Sequence, residues 1–422
     1  MQVKTLILGA GLTGLSTAYH LEQNGQNDYL LAEKEPVCGG LCASTQSHGF
    51  TYDYGGHLLH LHTPEGKKLV KKLLKTNLSR LSRNAFIYTH GVRVPYPFQA
   101  HLAALPAAVR KECATGLLNR PSFKTVSTFE QWCLAAFGAG IYEHFFKPYH
   151  QKIWNCNPAQ LTADWCAPFV PVLSAQDIRR SLQKTNRKHY GYNSYFYYPK
   201  QGGIGSLAQA LAAKISHLQL NSTVTAVDLK RQTAVVNGHV VHYRYLINTL
   251  PLKDFTRLLK GQNRLKKQAD FLKSVPVTVY HLAIARKVRP FSWLYFPEKD
   301  VPFYRVGLQS AFSAHNAPKN SSLFYIELPG LAKNTPALRK KIWTCLVQKG
   351  IIKRSDRPVF SAWKSVTHAY VIYDKKRTQV VSFLQNALAQ HSCYCGGRYG
   401  SWNYSFMESA LLEGKSLAQK VK

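Results

Sequence analysis

The sequence predicts an α/β fold with a buried parallel sheet, and three observations in its first forty residues carry that prediction. Val3 to Leu8 is a short apolar run, suited to a strand covered on both faces. It enters Gly9-Ala10-Gly11-Leu12-Thr13-Gly14, a GxGxxG placed where a strand should become a helix. A second apolar run, Tyr29 to Ala32, ends on Glu33, nineteen residues beyond Gly14. Between the runs Leu12, Leu15, Ala18, Tyr19 and Leu21 recur at helical spacing, and Gly25 closes the helix. Glycines let backbone amides approach a pyrophosphate at a helix amino terminus, and an acid at the second strand's end accepts ribose hydroxyls. Strand, glycines, helix, strand and acid in register mark a dinucleotide site with Gly9, Gly11, Leu12, Thr13, Gly14 and Glu33 as contacts. The bland alternative is a glycine-rich turn in an ordinary α/β fold.

The next segment separates flavin from nicotinamide. Residues 34–44 read KEPVCGGLCAS, and Gly49-Phe50-Thr51-Tyr52-Asp53-Tyr54-Gly55-Gly56-His57 follows. This resembles the extended fingerprint of FAD enzymes of the amine oxidase, protoporphyrinogen oxidase and UDP-galactopyranose mutase group. The resemblance implies FAD as cofactor, with NAD as the alternative, and adds Lys34, Gly39, Gly40, Leu41, Gly56 and His57 to its contacts. Lys34 stands where arginine is usual, and Cys42 where a polar or basic residue is common. The implied fold is a Rossmann-like FAD-binding domain of the GR2 type, with a helical insertion and a mixed α+β substrate domain.

A chain of 422 residues exceeds one compact core, so two or three domains are expected. The FAD domain is expected in three pieces: 1–75, 198–251 and 393–422. In the second, Gly202-Gly203-Ile204-Gly205 opens a helix through Leu207, Leu211 and Ile215. Val224 to Leu229 and Ala234 to Val241 then alternate as a hairpin turned at Asn237-Gly238. Tyr245 to Asn248 reads as a buried strand running into Thr249-Leu250-Pro251, and Val224 and Thr249 are taken as FAD contacts. The third piece is a glycine-rich loop and a helix through Met407, Leu411, Leu412 and Leu417. The insertion 76–197 reads as mainly helical, with Ser127-Thr128-Phe129-Glu130 as a capping-box pattern. The insertion 252–392 is richer in Val, Tyr and Phe and is expected to build a mixed sheet over the flavin.

Five more segments resemble the mutase and protoporphyrinogen-oxidase-like branch: 94–97, 145–154, 198–205, 300–306 and 397–404. The most specific is Phe145-Phe146-Lys147-Pro148-Tyr149-His150-Gln151-Lys152-Ile153-Trp154. By resemblance its aromatics Phe145, Tyr149 and Trp154 line a nucleotide pocket. Aromatic faces stack a base, and Lys147 and Lys152 offer charge to phosphate. An aromatic stripe at helical spacing is also the signature of plain core packing. The resemblance likewise places Gly397, Arg398 and Met407 at the flavin, and Trp402 and Tyr404 at the substrate; Tyr370 is a further candidate for lining the substrate chamber. His57, Tyr304, Arg305 and Arg398 are the candidates for catalytic roles. Two departures matter. No arginine occurs from 168 to 173, where mutases carry one, and a second mutase arginine is matched by Lys273, which lacks the bidentate fork.

The formal charge is +34, from 55 Lys and Arg against 21 acids spread along the chain. Such a field favours an anionic small-molecule substrate, a nucleotide sugar or a polycarboxylate, and leaves peripheral contact with an anionic membrane open. The bland reading is a set of solvated lysine faces. Nucleic acid is disfavoured because no recognition helix or RNA-binding module is visible. No residue pattern specifies an oligomeric state. Nine cysteines at scattered spacing argue against a disulfide framework and for a reducing compartment. No metal site is expected: His57, His60 and His62 have no carboxylate close in sequence. The absence of an apolar leader or an 18-residue apolar stretch points to a cytoplasmic protein, with attachment to the inner face of a membrane left open. The leading function is an FAD-dependent oxidoreductase acting on an anionic small molecule. A redox-neutral nucleotide-sugar mutase and a non-catalytic FAD-binding protein are the alternatives.

Overall fold

The computed structural model describes residues 1–167, 169–184, 190–191 and 193–421. A seven-stranded sheet forms around the first strand, Gln2–Leu8, whose Leu6, Ile7 and Leu8 are wholly buried. Tyr29–Ala32 lies parallel on one side, with Leu6 opposite Leu30. His239–Asn248 lies parallel on the other, with Leu6 opposite Leu246. Cys393–Cys395, from near the chain end, runs parallel to that same strand. Thr233–Val236 and Val224–Asp228 complete the antiparallel side, and Leu218–Gln219 completes the far edge. The expected hairpin turn is present: Asn237 and Gly238 have φ of 47° and 83°, as a tight two-residue hairpin turn requires.

The helix Leu12–Gln23 follows the first strand, and the last helix, Met407–Lys420, packs across it. Their approach is close because small residues meet: a Cβ on Gly414 would lie 2.6 Å from the Thr13 carbonyl oxygen. Ser16 Oγ seals the contact by donating to the Leu411 carbonyl at 2.6 Å.

A second seven-stranded sheet has the order Pro358–Val371, Ser274–Ile284, Ser322–Pro329, Arg305–Leu308, Trp293–Tyr295, Ala85–Thr89 and Val92–Pro95. Its last two strands come from the segment 76–197, which was expected to be mainly helical. The reason is local: Ala85 to Thr89 alternates buried and half-buried side chains, which suits a strand and not a helix. The same segment also supplies the helices Ala107–Leu118, Phe129–Ile141 and Lys147–Trp154. The second of these is capped by Thr128 and Gln131, one residue beyond the expected Ser127 pattern. Thr128 Oγ1 accepts from the Gln131 amide, and Gln131 Oε1 accepts from the Thr128 amide. Among the described residues no helix is long and apolar enough to cross a membrane.

Candidate active site

At the carboxyl end of the first strand, Gly9 turns the chain with φ of +93°. A Cβ there would meet Thr249 Oγ1 at 2.8 Å, and that hydroxyl instead donates to the Leu8 carbonyl at 2.7 Å. Gly14 sits so close beneath the turn that its Cβ would lie 2.0 Å from the Gly9 carbonyl oxygen. Gly11 differs: a Cβ on it would meet nothing within 4 Å, so the amino terminus of the helix Leu12–Gln23 faces open space. Glu33 is buried beneath this turn and accepts from the Ala10 amide at 2.8 Å and the Glu35 amide at 3.0 Å. Gly39 donates to the Ala10 carbonyl at 2.7 Å, which lays the second glycine pair beside Gly11, and Leu41 follows in the short helical turn Gly40–Cys42. Gly397 closes the floor, its Cβ position 2.6 Å from Thr13 Oγ1. Met407, half-buried, opens the last helix. Val224 begins a strand just after Ser222, whose amide donates to the Glu33 carbonyl at 2.7 Å.

Lys34 departs from this arrangement. Its side chain is 68% exposed and pairs with Glu35 at 3.5 Å, so it points to solvent.

His57, Glu327, Arg305 and Arg398 form a second cluster, the three charged groups acting on the His57 ring. Arg305 grips Glu327 with two bonds, Nε to Oε2 at 2.8 Å and Nη2 to Oε1 at 2.6 Å. Glu327 Oε1 also accepts from the Gly56 amide at 3.3 Å. Loss of water pushes the His57 imidazole down to about 4, so it is neutral at physiological pH. Arg398 is held by backbone, Nη2 donating to the Ala369 carbonyl at 2.9 Å, and its guanidinium lies 4.7 Å from the Tyr404 ring centroid. Its Nε and His57 Nδ1 are buried with no hydrogen-bond partner among the described residues.

Beyond this cluster a cavity opens among Tyr96, Gln99, Phe145, Tyr149, Trp154, Trp165, Arg305, Tyr370 and Tyr404. Tyr370 and Tyr404 stack at 5.9 Å, and Phe145 stacks on Tyr149 at 5.4 Å. His150 also faces the cavity; its Nδ1 must donate to the Phe146 carbonyl at 2.7 Å, since a carbonyl only accepts, which leaves Nε2 as an acceptor. Burial raises the pKa of Tyr149, Tyr370 and Tyr404, so these phenols stay neutral.

Several expected residues lie elsewhere. Trp402 is wholly buried, with φ of +49°, and its carbonyl accepts twice from Arg377. It supports the wall behind Tyr404 and does not line the cavity. Tyr304 is also wholly buried, one layer behind Tyr149 at 6.4 Å. Lys147 pairs with Glu143 at 2.8 Å, while Lys152 donates to the Phe296 and Glu298 carbonyls at 3.0 and 2.7 Å. Lys273 is 66% exposed and pairs with Asp374 at 3.1 Å. None of the three lysines lines the cavity. Sequence reasoning missed Tyr96, Gln99, Trp165 and Glu327. The signal for Glu327 was a single carboxylate inside the apolar run Leu323 to Leu328, which is tolerable in a core only when paired.

The donor set fits FAD. Open space at a helix amino terminus suits a pyrophosphate, Glu33 suits a ribose, and the two orphaned nitrogens suit the polar edge of a flavin ring. The comparisons agree. The model of the family described as flavin containing amine oxidoreductase matches residues 12–422. A reduced UDP-galactopyranose mutase superposes with a TM-score of 0.94 at 27% identity, over 99% of this chain and 95% of that one. A protein of Exiguobacterium sp. 255-15 described as a putative protoporphyrinogen oxidase gives 0.76 at 15% identity, over 99% and 98%. A putrescine oxidase bound to putrescine gives 0.67 at 14% identity, over 99% and 98%. An uncharacterized protein of Methanothermococcus thermolithotrophicus is 42% identical over 57 residues, 14% of this chain, and the match spans about half (54%) of that relative. The chain belongs to the flavin-containing amine oxidoreductase family, and it is a flavoenzyme whose cofactor is FAD.

Proposed function

We propose that this flavoenzyme rearranges an anionic nucleotide-linked sugar without net oxidation. The observation that carries the reading is the superposition on a UDP-galactopyranose mutase, at 0.94 against 0.76 and 0.67 for the two oxidases. Chamber electrostatics support it. Arg305 lines the cavity, Arg398 lies against the rings of its wall residues Tyr370 and Tyr404, and the chain carries +34, so a cationic amine such as putrescine would enter against the field. Bound FAD supplies a ring that accepts electrons and, when reduced, acts as a nucleophile.

The chain's own residues bind, orient and exclude water. Tyr149, backed by the stacked ring of Phe145, lines the cavity as an aromatic contact for a base or sugar, and the neutral phenols of Tyr370 and Tyr404 can donate to phosphate oxygens. Arg305 keeps its orientation through Glu327, leaving one guanidinium edge for the substrate. His57, tied to the turn at Gly55-Gly56 and held neutral by burial, is too weak a base to keep a proton at physiological pH, so it serves better as a shaping group than as a base.

A second reading, oxidation of an anionic substrate, is favoured by one fact: Lys147, Lys152 and Lys273 bring no charge to the chamber. One experiment separates the two. Protein reduced anaerobically with dithionite should interconvert UDP-galactopyranose and UDP-galactofuranose, while oxidised protein should not. Bleaching of the oxidised flavin by the sugar nucleotide, without isomer formation, would favour the oxidase.

A further inference from the structure

One face of the molecule combines dense positive charge with a protruding ring. It comprises the helices Leu252–Leu258, Asn263–Ala269 and Arg377–Ala389, and the turn that holds Phe271. These elements form one surface. The second helix packs against the other two, and Lys253 Nζ fastens the turn by donating to the Asp270 and Leu272 carbonyls at 3.2 and 3.1 Å. Phe271 is 43% exposed, with Lys376 Nζ 4.3 Å from its ring centroid. Lys260, Arg264, Lys267, Lys375 and Lys376 are exposed around it. The second and third helices contain no acid. Of the nearby acids, Asp254 binds His368 at 2.8 Å and Asp374 binds Lys273 at 3.1 Å, leaving exposed Asp270 as the counterweight.

We propose that this face docks on an anionic lipid bilayer, with Phe271 entering the headgroup region and the surrounding cations meeting lipid phosphates. Charge complementarity names the occupant's sign, and the exposed ring names its kind. An exposed aromatic side chain on a basic turn gains by leaving water for the acyl boundary, whereas a polyanion without an apolar layer offers it nothing. Lysine stems lie along the same boundary while their ammonium groups stay wet.

The other lysine-rich element, the helix Pro64–Leu74, lacks this combination. Its Val70 and Leu74 are buried, Lys72 donates to Tyr19 Oη at 3.0 Å, and its Glu65 pairs with Lys415 of the last helix. The Phe271 face also adjoins the chamber wall. Tyr373 Oη accepts from the Tyr404 amide at 2.8 Å, and the very next residue, Asp374, belongs to the basic face.

The test is co-sedimentation of the FAD-loaded protein with vesicles at physiological salt, phosphatidylglycerol mixtures against pure phosphatidylcholine. The wild type should pellet only with the anionic vesicles. Combining Lys267→Glu, Lys375→Glu and Lys376→Glu should lower partitioning by at least about 100-fold, from about 1 kcal/mol per basic residue near an anionic surface, and Phe271→Ser by about fivefold. A matched control with Lys67→Glu, Lys68→Glu and Lys71→Glu should stay within about twofold of wild type. Flavin content and melting temperature confirm that each variant is folded. Failure of the wild type to bind, or an equal loss in the control, would overturn the proposal. So would unchanged vesicle binding by Phe271→Ser together with displacement by duplex DNA, which would mark a general polyanion surface.

Discussion

Gly11 and Gly14 lie three residues apart but do different work, and mutation separates them. A side chain at Gly14 collides with the Gly9 carbonyl, so Gly14→Val should lower both stability and flavin content. A side chain at Gly11 projects into open space, so Gly11→Val should fold with a melting temperature near wild type yet bind FAD at least about 100-fold more weakly. The ratio of flavin to protein absorbance, read beside a thermal melt, checks both. Glu327 makes an equally direct case. Glu327→Gln would leave the buried Arg305 guanidinium without its countercharge, a change that costs about 3–5 kcal/mol when a buried pair is broken. A fall of that size in urea-unfolding free energy is expected, and an unchanged midpoint would refute the pairing.

At the scale of elements, one buried carboxylate joins three parts of the chain. Asp53, on the strand Phe50–Asp53, accepts from Ser44 Oγ at 2.6 Å, Tyr198 Oη at 2.6 Å, Gln309 Nε2 at 2.8 Å and the Ile204 amide at 3.2 Å. Asp53→Ala would strand several buried donors, and a loss of about 3 kcal/mol or more in unfolding free energy should follow. This network also shows what the sequence could and could not convey. The cradle was legible because Gly9 to Gly14, Glu33 and Gly39-Gly40 are close in sequence and act mostly through backbone geometry, which residue type controls. The chamber was only partly legible. Tyr96, Trp165 and Glu327 reach it from separate segments, brought together by pairings such as Glu327 opposite Arg305 in the second sheet. Trp402 carried an aromatic signal indistinguishable from a ligand contact, because nothing local reveals that Arg377 folds over it. Thr128 displaced Ser127 as the cap because both hydroxyls fit the pattern and the helix start decided between them.

For the whole molecule, pH acts through histidines that burial keeps neutral. His101 and His150 are pushed down to about 4, and His281 to about 3. In the unfolded chain these rings take up protons near pH 6.5, and in the folded protein they do so only near 4 or 3. Acidification therefore favours unfolding: their stability is intact above pH 6.5 and is lost as pH falls toward 4, by on the order of 3 kcal/mol per ring. Melting temperatures should drop steadily across pH 6.5, 5.5 and 4.5, and a flat profile would contradict the burial of these rings. The proposed preference for an anionic substrate belongs to this scale as well: it rests on Arg305 in the chamber lining, Arg398 against the Tyr404 ring and a chain charge of +34. The most direct test is a titration of the oxidised, FAD-loaded protein with UDP and, separately, with putrescine, followed by the flavin absorption spectrum. UDP should shift the spectrum in a saturable way that weakens with salt, and putrescine should leave it unchanged. Bleaching of the flavin by putrescine, with no response to UDP, would contradict the account.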